Sequence, residues 1–114
     1  DVILDTFPYQ GGGTTCEALC MGLPVVVRAG TRHGAWFGVS LLHNAGLSEL
    51  IAGSTEEYIE RAVLLARDRE LLRALQTAVP RMMRASPLMD AAGYVRAMET
   101  AYQMIWERYL HEKT

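Results

Sequence analysis

The sequence predicts an α/β fold in which a parallel sheet is covered by helices and followed by a helical tail. Two short apolar, β-branched runs, residues 2–4 and 24–27, flank a segment of helical composition, which is the pattern of a β-α-β unit. A glycine run, residues 11–13, stands where the first strand meets that helix. From about residue 55 onward the apolar spacing is helical only.

Length and composition limit the possibilities. The 114 residues predict a single domain, residues 1–114, with room for one modest core. The net charge of −2 gives no reason to expect a nucleic acid or a membrane surface as a partner, and no apolar run reaches the ~18 residues of a membrane-spanning helix. Because the chain starts at Asp1 without an initiator Met or a signal-peptide pattern, we expect a fragment of a longer protein.

The glycine run separates the predicted strand from a helix expected over residues 16–21. That helix should end at Gly22, because glycine is the residue most common at a left-handed helix end. In the loop, residues 11–13 permit positive φ and let a ligand approach the main chain without a Cβ in the way. Such a loop is typical of a ligand site, although a plain tight turn has the same composition.

The first turn of this helix predicts a phosphate site. Its unpaired N–H groups and the positive end of its dipole favour an anion. Thr14 and Thr15 offer hydroxyl donors, and we expect one of them to be the N-cap. Glu17, about one turn on, is placed to direct a carboxylate at the hydroxyls of an attached ribose.

The second strand, residues 24–27, reads as buried on both faces, as in a parallel sheet. A helix over residues 35–44, ended by Gly46, leads to a third, edge-like strand at residues 50–52. The order β-α-β-α-β predicts a Rossmann-like sheet, whose ligands bind at the carboxyl ends of the strands. The glycine loop lies at such an end.

Three helices follow in the predicted tail. Ser54 and Glu57 have capping-box spacing before a helix, Asp68 starts a second helix that Pro80 bends or ends, and Asp90 starts a last helix to about residue 111. The apolar face expected for the first of these helices is Tyr58, Ile59, Ala62, Val63, Leu65 and Ala66. The last helix carries the aromatic residues Tyr94, Tyr102, Trp106 and Tyr109.

The two cysteines, Cys16 and Cys20, stand four apart on one predicted helix. Side chains at this spacing rarely meet disulfide geometry, and neither has the Cys or His neighbours of a metal site. We interpret both as reduced packing residues, which favours a cytoplasmic protein.

Several separate segments carry a resemblance to a known family. They are Asp1–Tyr9, the loop Gly-Gly-x-Thr-Thr-Cys at 11–16, Met21–Val26, Ser40–Leu42, Glu57–Tyr58, Ser86–Leu88 and Tyr102–Glu107. In the same order they resemble the second half of the catalytic region of protein O-linked N-acetylglucosamine transferases, over nearly the whole chain. Several motifs in register are far more specific than one glycine loop.

The resemblance implies a two-lobed GT-B glycosyltransferase, of which this chain is the C-terminal lobe, the one that binds the nucleotide sugar. Members of the family transfer N-acetylglucosamine from its UDP conjugate to Ser or Thr of proteins, without a metal or other cofactor, and many carry tetratricopeptide repeats upstream. The implied partners are the UDP-sugar donor, a protein acceptor and the missing N-terminal lobe. That lobe holds catalytic residues, which stay unknown here, so we expect the fragment alone to be inactive.

Carried over residue by residue, the resemblance places the UDP-sugar on the glycine loop and the helix after it. The residues concerned are Gly12, Gly13, Thr14 and Thr15 for the phosphates and Glu17 for the ribose. Many relatives have Asn at Gln10, Asp at Glu17, and an Arg near Trp36 that this chain lacks. The identity of the sugar is therefore open.

Two other interpretations stay open. One is a cytoplasmic protein N-glycosyltransferase that uses a UDP-hexose, since those enzymes share this lobe. The other is a non-catalytic module that holds a nucleotide or serves as a scaffold. The last helix gives a separate expectation: if it packs on a missing lobe, Tyr102, Trp106 and Tyr109 should be exposed.

Overall fold

The computed structural model describes all 114 residues as a small parallel sheet with flanking helices. The strands are β1 (Ile3–Leu4), β2 (Val25–Arg28) and β3 (Ile51–Ala52). The α-helices are α1 (Gly13–Cys20), α2 (Phe37–Asn44), α3 (Thr55–Arg67), α4 (Arg69–Ala85) and α5 (Ala91–Lys113). Short 3-10 turns cover His33–Ala35, Ser48–Leu50 and Pro87–Met89.

The sheet is parallel throughout, and β2 lies in its middle. In the strand order β1-β2-β3, Ile3 pairs with Val25 and Val27 pairs with Ile51. The three valines of β2, residues 25–27, have no exposed surface, so the prediction of a strand buried on both faces is confirmed. The prediction that β3 lies at an edge is confirmed as well.

Two glycines end α1 and α2 in the left-handed conformation, as predicted. Gly22 has φ +84° and Gly46 has φ +81°. Gly22 also packs closely on α4, since a Cβ at this position would lie 2.7 Å from the carbonyl oxygen of Gln76. Glycine at residue 22 is therefore required by both its backbone angle and its neighbour.

The core joins the sheet to the inner faces of α1 to α4. Its largest fully buried apolar side chains are Leu19, Val25, Val26, Val27, Leu42, Leu65, Val79 and Met83. In α3 the inward stripe is Tyr58, Ala62 and Leu65, while Ile59, Val63 and Ala66 are exposed. The wider apolar face predicted for α3 is thus wrong, because a sheet of three short strands covers only one narrow stripe of the helix.

The helix starts in the tail were predicted correctly. Ser54 accepts a hydrogen bond from the N–H of Glu57 at 3.2 Å, and Asp68 and Asp90 cap α4 and α5 in the same way. Pro80 does not end its helix, since α4 continues to Ala85. Because proline has no N–H, the carbonyl of Gln76 lacks its intrahelical donor, and Gly22 packs at that point.

Helix α5 stands apart from the core. None of its 23 residues is buried, and Tyr102, Trp106 and Tyr109 are 62%, 58% and 47% exposed, as expected for a helix whose partner is missing. The radius of gyration, 17.6 Å, exceeds the roughly 13 Å of a compact domain of this length. None of the α-helices combines the length and the apolar character that a membrane crossing requires.

Candidate functional site

The glycine loop leads directly into α1, which begins earlier than the sequence predicted. Cys16 N–H donates to the carbonyl of Gly12 at 3.1 Å, so Gly12 is the N-cap and Gly13 is the first helical residue. The expectation of a Thr14 or Thr15 cap is wrong, because both threonines lie inside the first turn and no side chain caps it. The N–H groups of Gly13, Thr14 and Thr15 consequently have no acceptor within the helix.

The three loop glycines have no positive φ, and they differ in how closely other atoms pack against them. Positive φ occurs only at Gly22 and Gly46, so the loop glycines do not use the positive φ that glycine permits. Gly11 is packed, since a Cβ there would lie 2.8 Å from Thr15 Oγ1. A Cβ at Gly12 or Gly13 would meet nothing within 4 Å. The fold therefore leaves open space beside the main chain at these two glycines, which is the space that a ligand needs.

The predicted site residues fall into two sets on α1. Gly13, Thr14 and Glu17 are exposed, and Glu17, four residues after Gly13 and three after Thr14, lies on the same side of the helix as each of them. Thr15 is buried, with its hydroxyl directed at Gly11, and Gly12 is half-buried at the N-cap. The structure thus brings together the free helix end and the Glu17 carboxylate, while Thr15 lies beneath the loop.

A buried carboxyl group forms the floor of the loop. Asp5, just after β1, is 7% exposed, and its Oδ1 accepts a hydrogen bond from the N–H of Gly11 at 3.0 Å. Its Oδ2 is buried without a partner. Burial raises the pKa of Asp5, against a smaller lowering by the backbone N–H groups of Gly11 and Thr6. Asp5 therefore anchors the loop but carries its negative charge at a cost.

The Asp5 main chain is fixed from the helical tail. The hydroxyl of Tyr58 in α3 donates to the carbonyl of Asp5 at 2.8 Å. Burial, and then the nearby charge of Asp5, raises the pKa of Tyr58. The ring of Tyr58 also meets Phe7 edge-on, with 5.3 Å between ring centres. The tail thus supports the segment that leads into the glycine loop.

Gln10 is a site residue whose structural role the sequence did not reveal. It is 1% exposed. Its Nε2 donates to the carbonyl of Arg28 at the end of β2, and its Oε1 accepts from the N–H of Gly38 in α2, both at 2.7 Å. One side chain therefore joins the loop, the central strand and the start of α2. No spacing pattern marks such a clamp; a polar residue directly before a glycine run was the available signal.

An open groove of about 660 Å³ borders the N-cap of α1. Its lining includes Gly12, His33, Trp36 and Phe37. The His33 and Phe37 rings meet edge-on with 5.0 Å between centres, and the Tyr9 ring also meets Phe37 edge-on, with 6.5 Å between centres. His33 lies in the same groove as Gly12. Aromatic walls beside a free helix end suit a ligand that carries both an anion and flat or apolar groups.

Comparison with known proteins gives the same family as the sequence motifs. A relative from Solanum lycopersicum, named probable UDP-N-acetylglucosamine–peptide N-acetylglucosaminyltransferase SPINDLY, is 45% identical over 109 residues, which are 96% of this chain and 12% of that protein. A Caenorhabditis elegans UDP-N-acetylglucosamine–peptide N-acetylglucosaminyltransferase is 31% identical over 96% of this chain and 10% of its own length. The chain thus spans about an eighth of the length of such relatives.

A solved structure agrees with the fold. A mutant O-GlcNAc transferase from Thermobaculum terrenum superposes with a TM-score of 0.89 and 37% identity, covering 99% of this chain and 22% of that one. The predicted fold class, a Rossmann-like C-terminal lobe of a GT-B glycosyltransferase with a helical tail, is confirmed. The family model of glycosyl transferase family 41 matches residues 1–98. The chain therefore belongs to glycosyl transferase family 41.

Proposed function

We propose that this chain, as a single domain, is the donor-binding lobe of a glycosyltransferase that moves N-acetylglucosamine or a related sugar from a UDP-sugar to Ser or Thr of proteins. One observation carries the proposal: the first N–H groups of α1 are unpaired beside main chain that Gly12 and Gly13 leave uncovered. This arrangement sits at the carboxyl end of β1, where parallel sheets bind ligands.

The chemistry follows from the helix end. When the sugar leaves, negative charge develops on the diphosphate. The N–H groups of Gly13 and Thr14, with the positive end of the α1 dipole, stabilise that charge without moving. Glu17 lies one turn, about 5.4 Å, further along the same side of the helix, and there we place the ribose that is joined to the diphosphate.

The remaining parts of the activity belong to the longer protein. The relatives are named for transfer to peptides, and this chain spans 12% of the first of them. We infer that an N-terminal lobe completes the cleft, that a protein is the acceptor and that the 114 residues alone are inactive. The free thiols of Cys16 and Cys20 support a reducing compartment, the cytoplasm.

The test is titration of the complete enzyme with UDP. Gly13→Val should lower UDP affinity at least about tenfold, because the side chain fills the space through which phosphate reaches the main chain. A Cβ at this position would meet no other atom within 4 Å, so the melting temperature of the variant should equal that of the wild type. Thr14→Ala should weaken the free energy of UDP binding by only about 1 kcal/mol, since the main-chain N–H groups remain. If Gly13→Val leaves the UDP affinity unchanged, the glycine loop is a plain turn with no role in binding.

A matched pair of glutamates tests the ribose contact. Glu17→Ala should weaken UDP and spare inorganic pyrophosphate, because only UDP carries ribose. Glu60→Ala, an equally exposed change on α3, should alter neither. Competition between UDP-N-acetylglucosamine and UDP-hexoses then separates O-linked transfer from the N-glycosyltransferase alternative. If the complete protein does not bind UDP at all, the result would favour the interpretation as a non-catalytic scaffold.

A further inference from the structure

A second cavity, of about 930 Å³, opens at the carboxyl ends of β2 and β3. Its lining includes Phe7 and Pro8, from the segment before the glycine loop, and residues 53–56 at the start of α3. The segment from Arg28 to Arg32, together with Ala35, contributes the rest of the lining. The groove at Gly12 shares none of these residues, so a different set of residues lines each opening.

Arg28 places a fixed positive charge in this cavity. Its guanidinium lies over the Phe7 ring, 4.5 Å from the ring centre. No carboxylate neutralises it, since the one ion pair in the chain joins Arg61 to Glu57. The main chain of Arg28 is held by Gln10, and its side chain is half-buried. An arginine that is stacked, anchored and without a counter-ion is prepared for an anionic group.

The other polar groups of the cavity add to this positive character. Arg32 lines the same opening. Ser54 caps the N–H of Glu57, which leaves the N–H groups of Thr55 and Glu56 without acceptors at the positive end of the α3 dipole. Glu56 supplies the single opposing carboxylate among the lining residues. Two guanidinium groups against one carboxylate select a negatively charged ligand.

We propose that this cavity receives an acidic side chain of the acceptor polypeptide. The proposal rests on the proposed function, because it assumes that a protein is the acceptor. The donor diphosphate is a poorer occupant, since Gly12, the N-cap of α1, lines the other groove and not this cavity. Phe7, Pro8 and Ala35 give the cavity apolar walls, and these suit the stem of an Asp or Glu together with its main chain.

Paired peptides test the proposal with the complete enzyme. Each peptide has one acceptor Ser and a single Glu placed from three residues before it to three after it, with a Gln twin at each position. The wild-type enzyme should favour one Glu peptide over its twin by about tenfold in kcat/KM, the size of one charge-assisted bond. Arg28→Gln should abolish that preference, and Arg28→Glu should reverse it toward a Lys peptide. The donor KM should not change.

Controls separate the possible failures. Arg81→Gln, an exposed arginine on α4, should keep the preference, and Arg32→Glu provides a second test if Arg28 variants do not fold. Equal use of Glu and Gln peptides by wild type, or a preference that survives both arginine changes, overturns the proposal. Measuring the binding of the same peptides, labelled, in the presence of UDP shows the preference for Glu over Gln without requiring sugar transfer. Selective binding with no transfer would refute the proposed activity while supporting the acidic site.

Discussion

The sheet region, residues 1–52, and helix α5 are both rich in apolar residues, but they use them in opposite ways. In the sheet region, Val25, Leu42 and Leu47 are almost fully buried by the chain itself. In α5, Tyr94, Ile105 and Trp106 are each more than half exposed. Apolar composition is thus not sufficient to locate the core.

The difference lies in what each element requires for burial. A central parallel strand has partners on both edges and helices on both faces. A β-branched run such as residues 25–27 is therefore buried by other parts of the same chain. An isolated helix presents apolar side chains that only another surface can cover, and contiguous exposed apolar surface usually marks an interface. The apolar side chains of residues 1–52 are therefore largely covered within this chain, whereas those of α5 are not.

The largest effect should come from the tight contact that closes the sheet region. Gly22→Ala forces a non-glycine residue into positive φ and brings Cβ to 2.7 Å from the Gln76 carbonyl. We expect a loss of about 3 kcal/mol in the free energy of unfolding, from backbone strain and overpacking together. Urea denaturation of the 114-residue chain measures it.

Gly46→Ala is the matched control for this substitution. Gly46 has nearly the same φ, but its Cβ would meet only the flexible end of Met82, at 3.2 Å. The loss should be about 1 kcal/mol, the backbone strain alone. Equal losses at the two glycines would show that the α1–α4 contact adds nothing to the stability of the sheet region.

The next effect should come from the Gln10 clamp. Gln10→Ala removes two hydrogen bonds and leaves the Gly38 N–H and the Arg28 carbonyl unpaired, which should cost about 2 kcal/mol. UDP affinity of the complete enzyme should fall as well, because the loop loses its tie to β2 and α2. Gln103→Ala, on exposed α5, is the control and should change neither quantity. Wild-type stability in Gln10→Ala would mean that water replaces the clamp.

The features that the sequence predicted correctly are local ones. The valine strand, the two positive-φ glycines and the caps Ser54, Asp68 and Asp90 each depend on a few neighbouring residues. Such features can be predicted from composition and spacing because their physical causes lie within one or two turns of chain.

The features that the sequence missed depend on contacts between distant segments. Asp5 and Gln10 are ordinary polar residues until β2, α2 and α3 close around them, and the narrow buried stripe of α3 depends on the width of the sheet. The sequence placed the start of α1 too late. The reason is that Gly12 occupies the N-cap position, where a threonine was expected. The ligand role of the loop stays a prediction.

A smaller effect, and one that depends on pH, should come from Asp5. Burial raises its pKa, so the folded chain binds this proton more tightly than the unfolded chain does. Stability relative to Asp5→Asn should therefore fall as pH rises from the ordinary aspartate pKa through the raised one, and then level off. Unfolding free energies of both proteins across this acidic range give the difference, in which other titrating groups cancel. A difference that does not change with pH would contradict the burial of this carboxyl group.

The smallest effect should come from α5 and gives the sharpest test of the comparison. Trp106 is 58% exposed and stacks only on Tyr109 of its own helix, with 5.6 Å between ring centres. Trp106→Gln should therefore change the unfolding free energy of the 114-residue chain by less than about 0.5 kcal/mol, the usual range for a surface site. The measurement belongs at several low protein concentrations, because a second copy that covers this face would make the result depend on concentration. In the complete protein we expect the same substitution to lower the unfolding free energy markedly more, because we expect another part of the protein to cover this face of α5. A loss above about 1 kcal/mol in the dilute chain alone would show that α5 packs on its own domain, and the contrast with residues 1–52 would not hold.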